Sequence, residues 1–530
     1  DVAPSRGLGD VYKRQVIILM KKVLICLLAL ASASYATAQP KDAAHPDWEK
    51  EIPRVIHPDE ALVDLYEKTW AIAADRVRIG PPGLPASPYL DENCYDSQIW
   101  IWDACFMVLF SKYAPEAYPG KQTLNNLYVP ILENQATPLR IHLRDNPPLF
   151  AWAEYGNYEF TGDREHVTEI LKNKRYLQRH FDYFNTVKHG NRNEAVSPNP
   201  IFLNQIRDEK GKLLGFTWTG GASGMDNTPR GRDAGGYDKI MWIDAIAQQA
   251  LSALCISRLA EAYGDRKEAR SWKKRYKELK EHINRTYWDE QDGFYYDVAI
   301  ATGQPCRIKT PASFWTLLAE IPSKEQAARM VRSVRDENMM GGTYPWPSLS
   351  RDDKDYHHAT GDYWKGGVWL PMVYMGTKAL EKYGYYELAD SLAEKVVRQQ
   401  LRTYQKITPH TIWECYSPSA DAPSTEYGRR ARPDFCGWST LGPISLFIEN
   451  MLGFREINAL EKCIRWSLKS ENGTHGLRNL KFGPIRTDIL YQASSKQVEV
   501  ESNQPYTLII NGKKYRIKAG KNTLHAIQPE

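Results

Sequence analysis

The sequence predicts a mainly α-helical fold, a closed toroid of helix pairs followed by a small β-rich C-terminal domain. Apolar residues recur at helical spacing through most of residues 45–455. Three of these stretches double back as helix hairpins at a glycine-containing corner, and after residue 470 the texture changes to short alternating runs.

The first helical patterns cover residues 58–78 and 98–113. "AEYGNYEFTGDREHVTEILKNKRYLQRHFDYFNTV" then turns around Gly162-Asp163, and "MWIDAIAQQALSALCISRLAEAYGD" stops at Gly264-Asp265 before a second helical run from Lys267 to Tyr287. Helices also fit residues 310–320, 323–337 and 437–452, while "WKGGVWLPMVYMGTKALEKYGYYELADSLAEKVVRQQL" repeats the hairpin with its turn at Gly384. The unequal spacing of the hairpins excludes a strict short-period repeat. Roughly ten to twelve helices with few convincing strands close most simply as a toroid with its long loops gathered at one mouth. At the C-terminus, "QVEVES", "YTLIING" and "KKYRIKA", with a hairpin turn at Asn511-Gly512, make up the small β domain over 470–530, which carries no obvious chemistry.

The 530-residue chain is 42% hydrophobic and 25% charged, a balance that reads as soluble and globular with a sizeable core. From Met20, "MKKVLICLLALASASYATAQP" joins two lysines to an apolar run and ends in Ala36-Thr37-Ala38, so residues 20–38 read as a secretory signal cleaved after Ala38. Residues 1–19 lie upstream of it and read as a non-native or mis-started leader. Cys26 lacks the small residues that precede a lipid-modified cysteine, so the expected product is periplasmic or secreted. Without residues 1–38, 64 basic residues face 62 acidic ones, a formal charge of +2, which gives no reason to expect nucleic acid or a membrane surface as partner. No other apolar run is long enough to span a bilayer. Seven cysteines remain, Cys94, Cys105, Cys255, Cys306, Cys415, Cys436 and Cys463, an odd and scattered set that is neither a disulfide framework nor a zinc site and leaves room for one or two bridges in an oxidising compartment.

One loop stands apart. "GASGMDNTPRG", residues 221–231, isolates Asp226 among glycines, small residues and Pro229, on backbone suited to neither helix nor strand. An Asp in an arbitrary loop ordinarily caps the next helix or forms an Asx turn, so a functional role needs support from the rest of the chain. The aromatic residues supply it. The chain holds 16 Trp and 31 Tyr, and "QIWIWDACF", "GFTWTGG", "TYPWPS", "GDYWKGGVW" and "TIWECYSP" mix rings with acids or amides in polar connections. Sugars present an apolar CH face and a rim of hydroxyls, so this pairing suits a carbohydrate pocket, although any single Trp or Tyr of this kind is ordinarily a core residue. Glycoside hydrolysis uses one protonated carboxyl to serve the leaving oxygen and one ionised carboxylate to activate water or attack the sugar. Asp226 and Glu414, the latter between Trp413 and a Tyr416/Pro418 turn, are the candidates; 188 positions apart, they meet only through the fold.

The stretches "WIWDACF", "SGMDNTPR", "YWKGGVWLP", "WECYSP" and "FCGWSTLGP" occur in the order seen in glycoside hydrolase family 63 and its trehalase-like relatives, including bacterial glucosylglycerate and mannosylglycerate hydrolases. The chain resembles that family over roughly residues 55–455. The resemblance implies an (α/α)6 barrel and an inverting mechanism, with Asp226 as general acid and Glu414 as general base. It also implies that Trp102 and Asp103 line the subsite of the sugar being cleaved off, with Arg230, Tyr363 and Trp364 as sugar contacts nearby and Trp438 as a wall. Trp100, Lys365 and Trp413, from the same stretches, complete the expected substrate-binding set. Where the relatives often have "YWRGPVW", Lys365 and Gly367 stand here, replacing a planar guanidinium with a flexible point charge, and Cys415 stands where they often have Asn. Both departures bear on substrate identity more than on reaction type.

The expected activity is that of an exported inverting glycoside hydrolase removing an α-linked sugar, glucose foremost, from a small glycoside or oligosaccharide. A non-catalytic periplasmic sugar-binding protein and a glycoside phosphorylase are the alternatives. Binding alone does not require two acids in these contexts, and a phosphorylase would replace Glu414 and its water with phosphate. No cofactor is required. The acid-rich stretch "SRDDKDYHHATGD" (350–362) invites a metal reading but follows no recognised calcium or zinc spacing and reads as a solvated loop rimming the pocket. "WDEQDGFYYD" (288–297) invites a calcium reading but reads more simply as a helix end followed by a short extended segment, so no metal ligand is assigned.

Overall fold

The computed structural model describes residues 41–42, 47–93, 97–141, 147–186, 203–469 and 473–525. The leader, the secretory signal and Cys94 lie outside the described residues.

Six helix pairs form the body of the described chain: α1 (Glu60–Ala74) and α2 (Ile101–Ser111), α3 (Gly120–Leu132) and α4 (Phe150–Thr161), α5 (Tyr176–Thr186) and α6 (Ile243–Tyr263), α7 (Arg266–Thr286) and α8 (Trp315–Leu318), α9 (Lys324–Arg335) and α10 (Leu370–Lys382), α11 (Tyr386–Lys406) and α12 (Cys436–Ser439, continued as a π-wound stretch Leu441–Met451). The even-numbered helices touch one another in the closed circuit α2, α4, α6, α8, α10, α12 and back to α2. The odd-numbered helices lie outside this ring. The predicted (α/α)6 toroid is therefore the observed one.

Composition explains which helix goes where. Every residue of α2 is buried, as befits a helix apolar on all sides. Helix α7 instead buries Ala269, Trp272, Tyr276 and Ile283 along one stripe and turns its many Lys and Arg outward. At the hairpin corners, Gly162, Gly264 and Gly384 take φ of 64°, 101° and 80°, the left-handed conformation that ends a helix. Asp163 and Asp265 then cap the next helical segment by accepting the N–H of His166 and Glu268, each at 3.0 Å.

The inner helices start at one mouth. Gly437 at the start of α12 lies against Asp103 at the start of α2, and Trp369, which precedes α10, meets Trp438 of α12 at 5.7 Å between rings. The opposite mouth is covered by β structure. One sheet has the strand order Phe454–Asn458, Cys463–Trp466, Tyr506–Ile510, Lys513–Ile517, and the other Arg54–Ile56, Thr474–Phe482, Ile485–Gln492, Gln497–Ser502, Gly520–Leu524. They face each other through the Thr487 and Tyr506 hydroxyls, 3.2 Å apart, and the Trp466 and His475 rings. Two strands precede the change of texture at residue 470, and a third, Arg54–Ile56, comes from the start of the described chain. Arg455 joins this β unit to α11 through a two-pronged ion pair with Asp390, at 2.6 and 2.5 Å. Among the described residues, no helix is long and apolar enough to cross a membrane.

Candidate active site

The "GASGMDNTPRG" segment is not loop throughout. Thr219 accepts the N–H of Ala222 at 3.1 Å, so Gly220–Ser223 close one helical turn, which Gly224 ends at φ 80°. The chain then folds back, with Met225 N–H donating to the Gly220 carbonyl at 2.9 Å. A Cβ on Gly220 would stand 2.2 Å from the Asp226 carbonyl oxygen, and one on Gly224 would stand 3.0 Å from the Trp102 ring. These glycines are present because the loop carrying Asp226 packs on itself and on α2.

The Asp226 carboxyl makes no hydrogen bond or ion pair with the described residues. It is reached by solvent on one side, yet protein encloses its other sides. That desolvation, helped by the negative charge of Glu426 and opposed by Arg432, pushes its pKa up to about 6. A carboxyl without partners and with a raised pKa suits proton donation.

Glu414 is built differently. It is buried, and its Oε1 accepts from the Tyr363 hydroxyl at 3.0 Å and from Arg432 Nη1 at 2.9 Å, while Oε2 accepts the Arg432 N–H at 3.3 Å. Trp438 Nε1 donates to the Glu414 carbonyl at 2.7 Å and fixes the backbone beneath it. Burial raises its pKa, while the guanidinium and the phenol pull the other way by favouring the carboxylate. The three donors point at an anion.

Of the expected contacts, Trp102 packs on Gly224 of the Asp226 loop, Asp103 feels the charge of both acids, Tyr363 and Trp438 bond Glu414, and the Trp364 N–H bonds Asn227 beside Asp226. Asp103, in the first turn of α2, is held well above the usual carboxylate range by burial, with the charges of Glu414, Asp226 and Asp91 adding to it. Trp364 stacks on Trp369 at 4.0 Å with the planes 6° apart, and Trp102 meets Trp315 edge-on at 6.1 Å. Trp100 is the half-buried residue ahead of α2, and Trp413 is buried beneath the Arg430 guanidinium.

Two expectations change. Arg230 is not free to hold a sugar: it is buried, with Nη1 and Nη2 on Asp244 at 2.6 and 3.0 Å, Nε and Nη2 on Asp297 at 2.7 and 2.5 Å, and the guanidinium over Trp242 at 4.3 Å. Its place is to anchor the Asp226 loop to α6. Lys365 pairs with Asp362 at 3.7 Å and lines a neighbouring cavity of about 560 Å3 with Asn227, Tyr237 and Asp362, a cavity whose lining includes neither acid.

The acid-rich stretches also find arginines. Arg232 binds Asp353 and Asp355 at 2.7 and 2.5 Å, and Arg307 binds Asp289 at 2.7 Å. Among the described residues no group of three or more His, Cys, Asp or Glu is arranged to hold a metal ion.

Four residues near the acids escaped the sequence reading. Arg432 and Glu426 lie in the connection after Glu414, with no local pattern to mark them. Glu92 is fully buried, with neither carboxyl oxygen hydrogen-bonded, and Gly437 lies against both Glu92 and Asp103. Asn227 lies inside the GASGMDNTPRG segment, directly after Asp226, where its residue type alone gives no functional signal.

Comparison with known proteins gives the family and the fold. Residues 121–438 match the family described as mannosylglycerate hydrolase MGH1-like glycoside hydrolase domain. An uncharacterised protein of Borreliella burgdorferi is 27% identical over 487 residues, 87% of this chain and 94% of that protein. The mannosylglycerate hydrolase of Rubrobacter radiotolerans is 27% identical over 145 residues; the match covers 27% of this chain and only 32% of that relative. The crystal structure of a family 63 mannosylglycerate hydrolase from Thermus thermophilus superposes with a TM-score of 0.50 at 17% identity, covering 72% of this chain and 99% of that one, and shares its fold.

Proposed function

Because the chain belongs to the mannosylglycerate hydrolase MGH1-like glycoside hydrolases, in the family 63 and trehalase-like group, we propose that it is an exported inverting enzyme that removes one α-linked sugar, glucose in our reading, from a small glycoside. One observation carries the reading: an unpartnered carboxyl, Asp226, and Glu414, a carboxylate held by Arg432 and Tyr363, bring their charges to bear on the same two side chains, Asp103 and Tyr363. In the proposed step Asp226 gives its proton to the glycosidic oxygen as the bond from that oxygen to the anomeric carbon breaks. A water attacks that carbon from the opposite face and passes a proton to Glu414. No cofactor enters this step. Residues 20–38 support export, and recovery of mature protein beginning after Ala38 is the check on it.

Proton NMR on trehalose, kojibiose, nigerose, glucosylglycerate and mannosylglycerate, in phosphate-free buffer, tests the proposal. The expected result is initial release of a β-sugar from one of these α-glycosides. Release of the α-anomer would mean retention, and turnover only on adding phosphate would mean a phosphorylase. Binding without release, identical in wild type, Asp226→Asn and Glu414→Gln, would mean a binding protein.

The pH profile follows from the two environments. Asp226 must be protonated, so activity is lost as pH rises through about 6. Glu414 must be ionised, so activity is also lost as pH falls through a value above its ordinary one. Glu426→Gln removes a negative charge that holds Asp226 up, so the alkaline limb of kcat/KM is expected to move to lower pH. An unmoved limb would show that Glu426 does not influence the acid.

A further inference from the structure

Asn227 directly follows the proposed acid, and its amide reaches the segment that holds the proposed base. Nδ2 donates to the Asp362 carbonyl at 3.0 Å, and Oδ1 accepts the Trp364 N–H at 2.8 Å. These bonds bracket Tyr363, whose hydroxyl donates to Glu414 at 3.0 Å. The Tyr363 carbonyl in turn accepts from Trp369 Nε1 and the Gly367 N–H, each at 3.1 Å. Asp362 and Tyr363 have φ of 31° and 67°, which residues other than glycine keep only where their surroundings impose it.

Resting on the reading of Asp226 as acid and Glu414 as base, we infer that Asn227 is a positioning residue that ties the acid to the base-holding segment and so sets their relative placement. Successive Cα atoms are about 3.8 Å apart, so an immobilised Asn227 leaves Asp226 little room to wander. From there the path to Glu414 runs through one pair of hydrogen bonds, one residue and one hydroxyl. An amide suits the position because it offers a donor and an acceptor on one planar group. An Asp would set an acceptor against the Asp362 carbonyl, and an Ala would release both segments. An ordinary loop-to-loop bond would serve folding alone; here both ends land on the flanks of the residue that holds the base.

Loss of the clamp frees the acid more than the base, because Glu414 keeps Arg432 and Tyr363 keeps the hydrogen bonds to its carbonyl. Leaving groups separate the two effects. Fluoride departs without a proton, whereas an alkoxide needs one from the acid. The experiment measures kcat and KM of wild type, Asn227→Ala and Asp226→Asn on α-D-glucosyl and α-D-mannosyl fluoride and on glucosylglycerate and mannosylglycerate. Asn227→Ala is expected to lose about 100-fold in kcat on the glycerate glycoside, the scale of a 1 Å misplacement, with little loss on the matching fluoride and KM unchanged. Equal losses on both substrates would overturn the inference and leave Asn227 a folding residue. Asp226→Asn must show the same selectivity; if it does while Asn227→Ala does not, only the clamp fails. If Asp226→Asn loses equally on both, the assignment of the acid fails and takes the clamp with it. Should Asn227→Ala not fold, as judged by circular dichroism, Asn227→Ser carries the same comparison, with the same outcomes supporting or overturning it.

Discussion

Asp226→Asn and Glu414→Gln are each expected to lower kcat by about 10²- to 10⁴-fold while leaving the protein folded. The two losses have different structural companions. The Asp226 carboxyl has no partner among the described residues, so an amide of the same shape breaks no bond. Its raised pKa also means that the ionised form is disfavoured in the folded state. The sign follows: stability contributed by this site falls as pH rises from the ordinary Asp range through about 6, so Asp226→Asn is expected to be at least as stable as wild type at pH 7. Glu414→Gln keeps an oxygen for Tyr363 but removes the anion that faces Arg432, so a modest loss of stability accompanies its loss of turnover. Steady-state kinetics beside urea unfolding checks both. A variant that keeps more than a tenth of wild-type kcat would remove that residue from the proposed mechanism.

Arg230→Met is expected to destabilise the protein by about 3–5 kcal/mol, the usual effect of removing one partner from a buried ion network. The arginine is flanked by Asp244 and Asp297, both buried, and each takes two of its nitrogen bonds. Met has similar length but leaves the two carboxylates facing each other without a counter-charge. Asp244 is already held above its ordinary pKa by burial against the pull of the guanidinium, so removing that guanidinium drives it further up and makes it bind a proton. The Asp226 loop would lose its tie to α6, so kcat should fall as well. Urea unfolding with an m-value matching wild type makes the comparison valid. A change below about 1 kcal/mol would mean that the network is no more than balanced by its own desolvation.

Much of this was legible before any coordinates. Helical spacing marked segments that became α1, α2, α9 and α12, and glycines 162, 264 and 384 turn the three hairpins at the expected corners. Periodicity reports which face of a helix is buried, and a glycine at a corner reports a backbone conformation; both are local properties. Asp226 and Glu414 were legible as candidates for a similar reason, since each sits in a short stretch of distinctive composition. The helical turn at Gly220–Ser223 was not, because the Thr219 cap outweighs the low helix propensity of two glycines.

By itself the sequence determined the toroid, the β-rich end and the choice of the two candidate acids. Tertiary structure decided what surrounds those acids. Arg432 and Glu414 are 18 positions apart, at the two ends of one connection that pair at Trp413 and Pro433, Arg230 and Asp297 are 67 apart and Asn227 and Trp364 137, and each pair meets only in the folded chain. Arg230 is the instructive case: its position in the motif placed it beside the acid, but only the folded chain shows that its guanidinium turns inward to two buried carboxylates. The strand from Arg54 pairs with residues near 477 for the same reason. Hydrogen bonds and ion pairs act over about 3 Å whatever the sequence separation, so partners are selected by where the chain has been brought, and one-dimensional patterns do not carry that information.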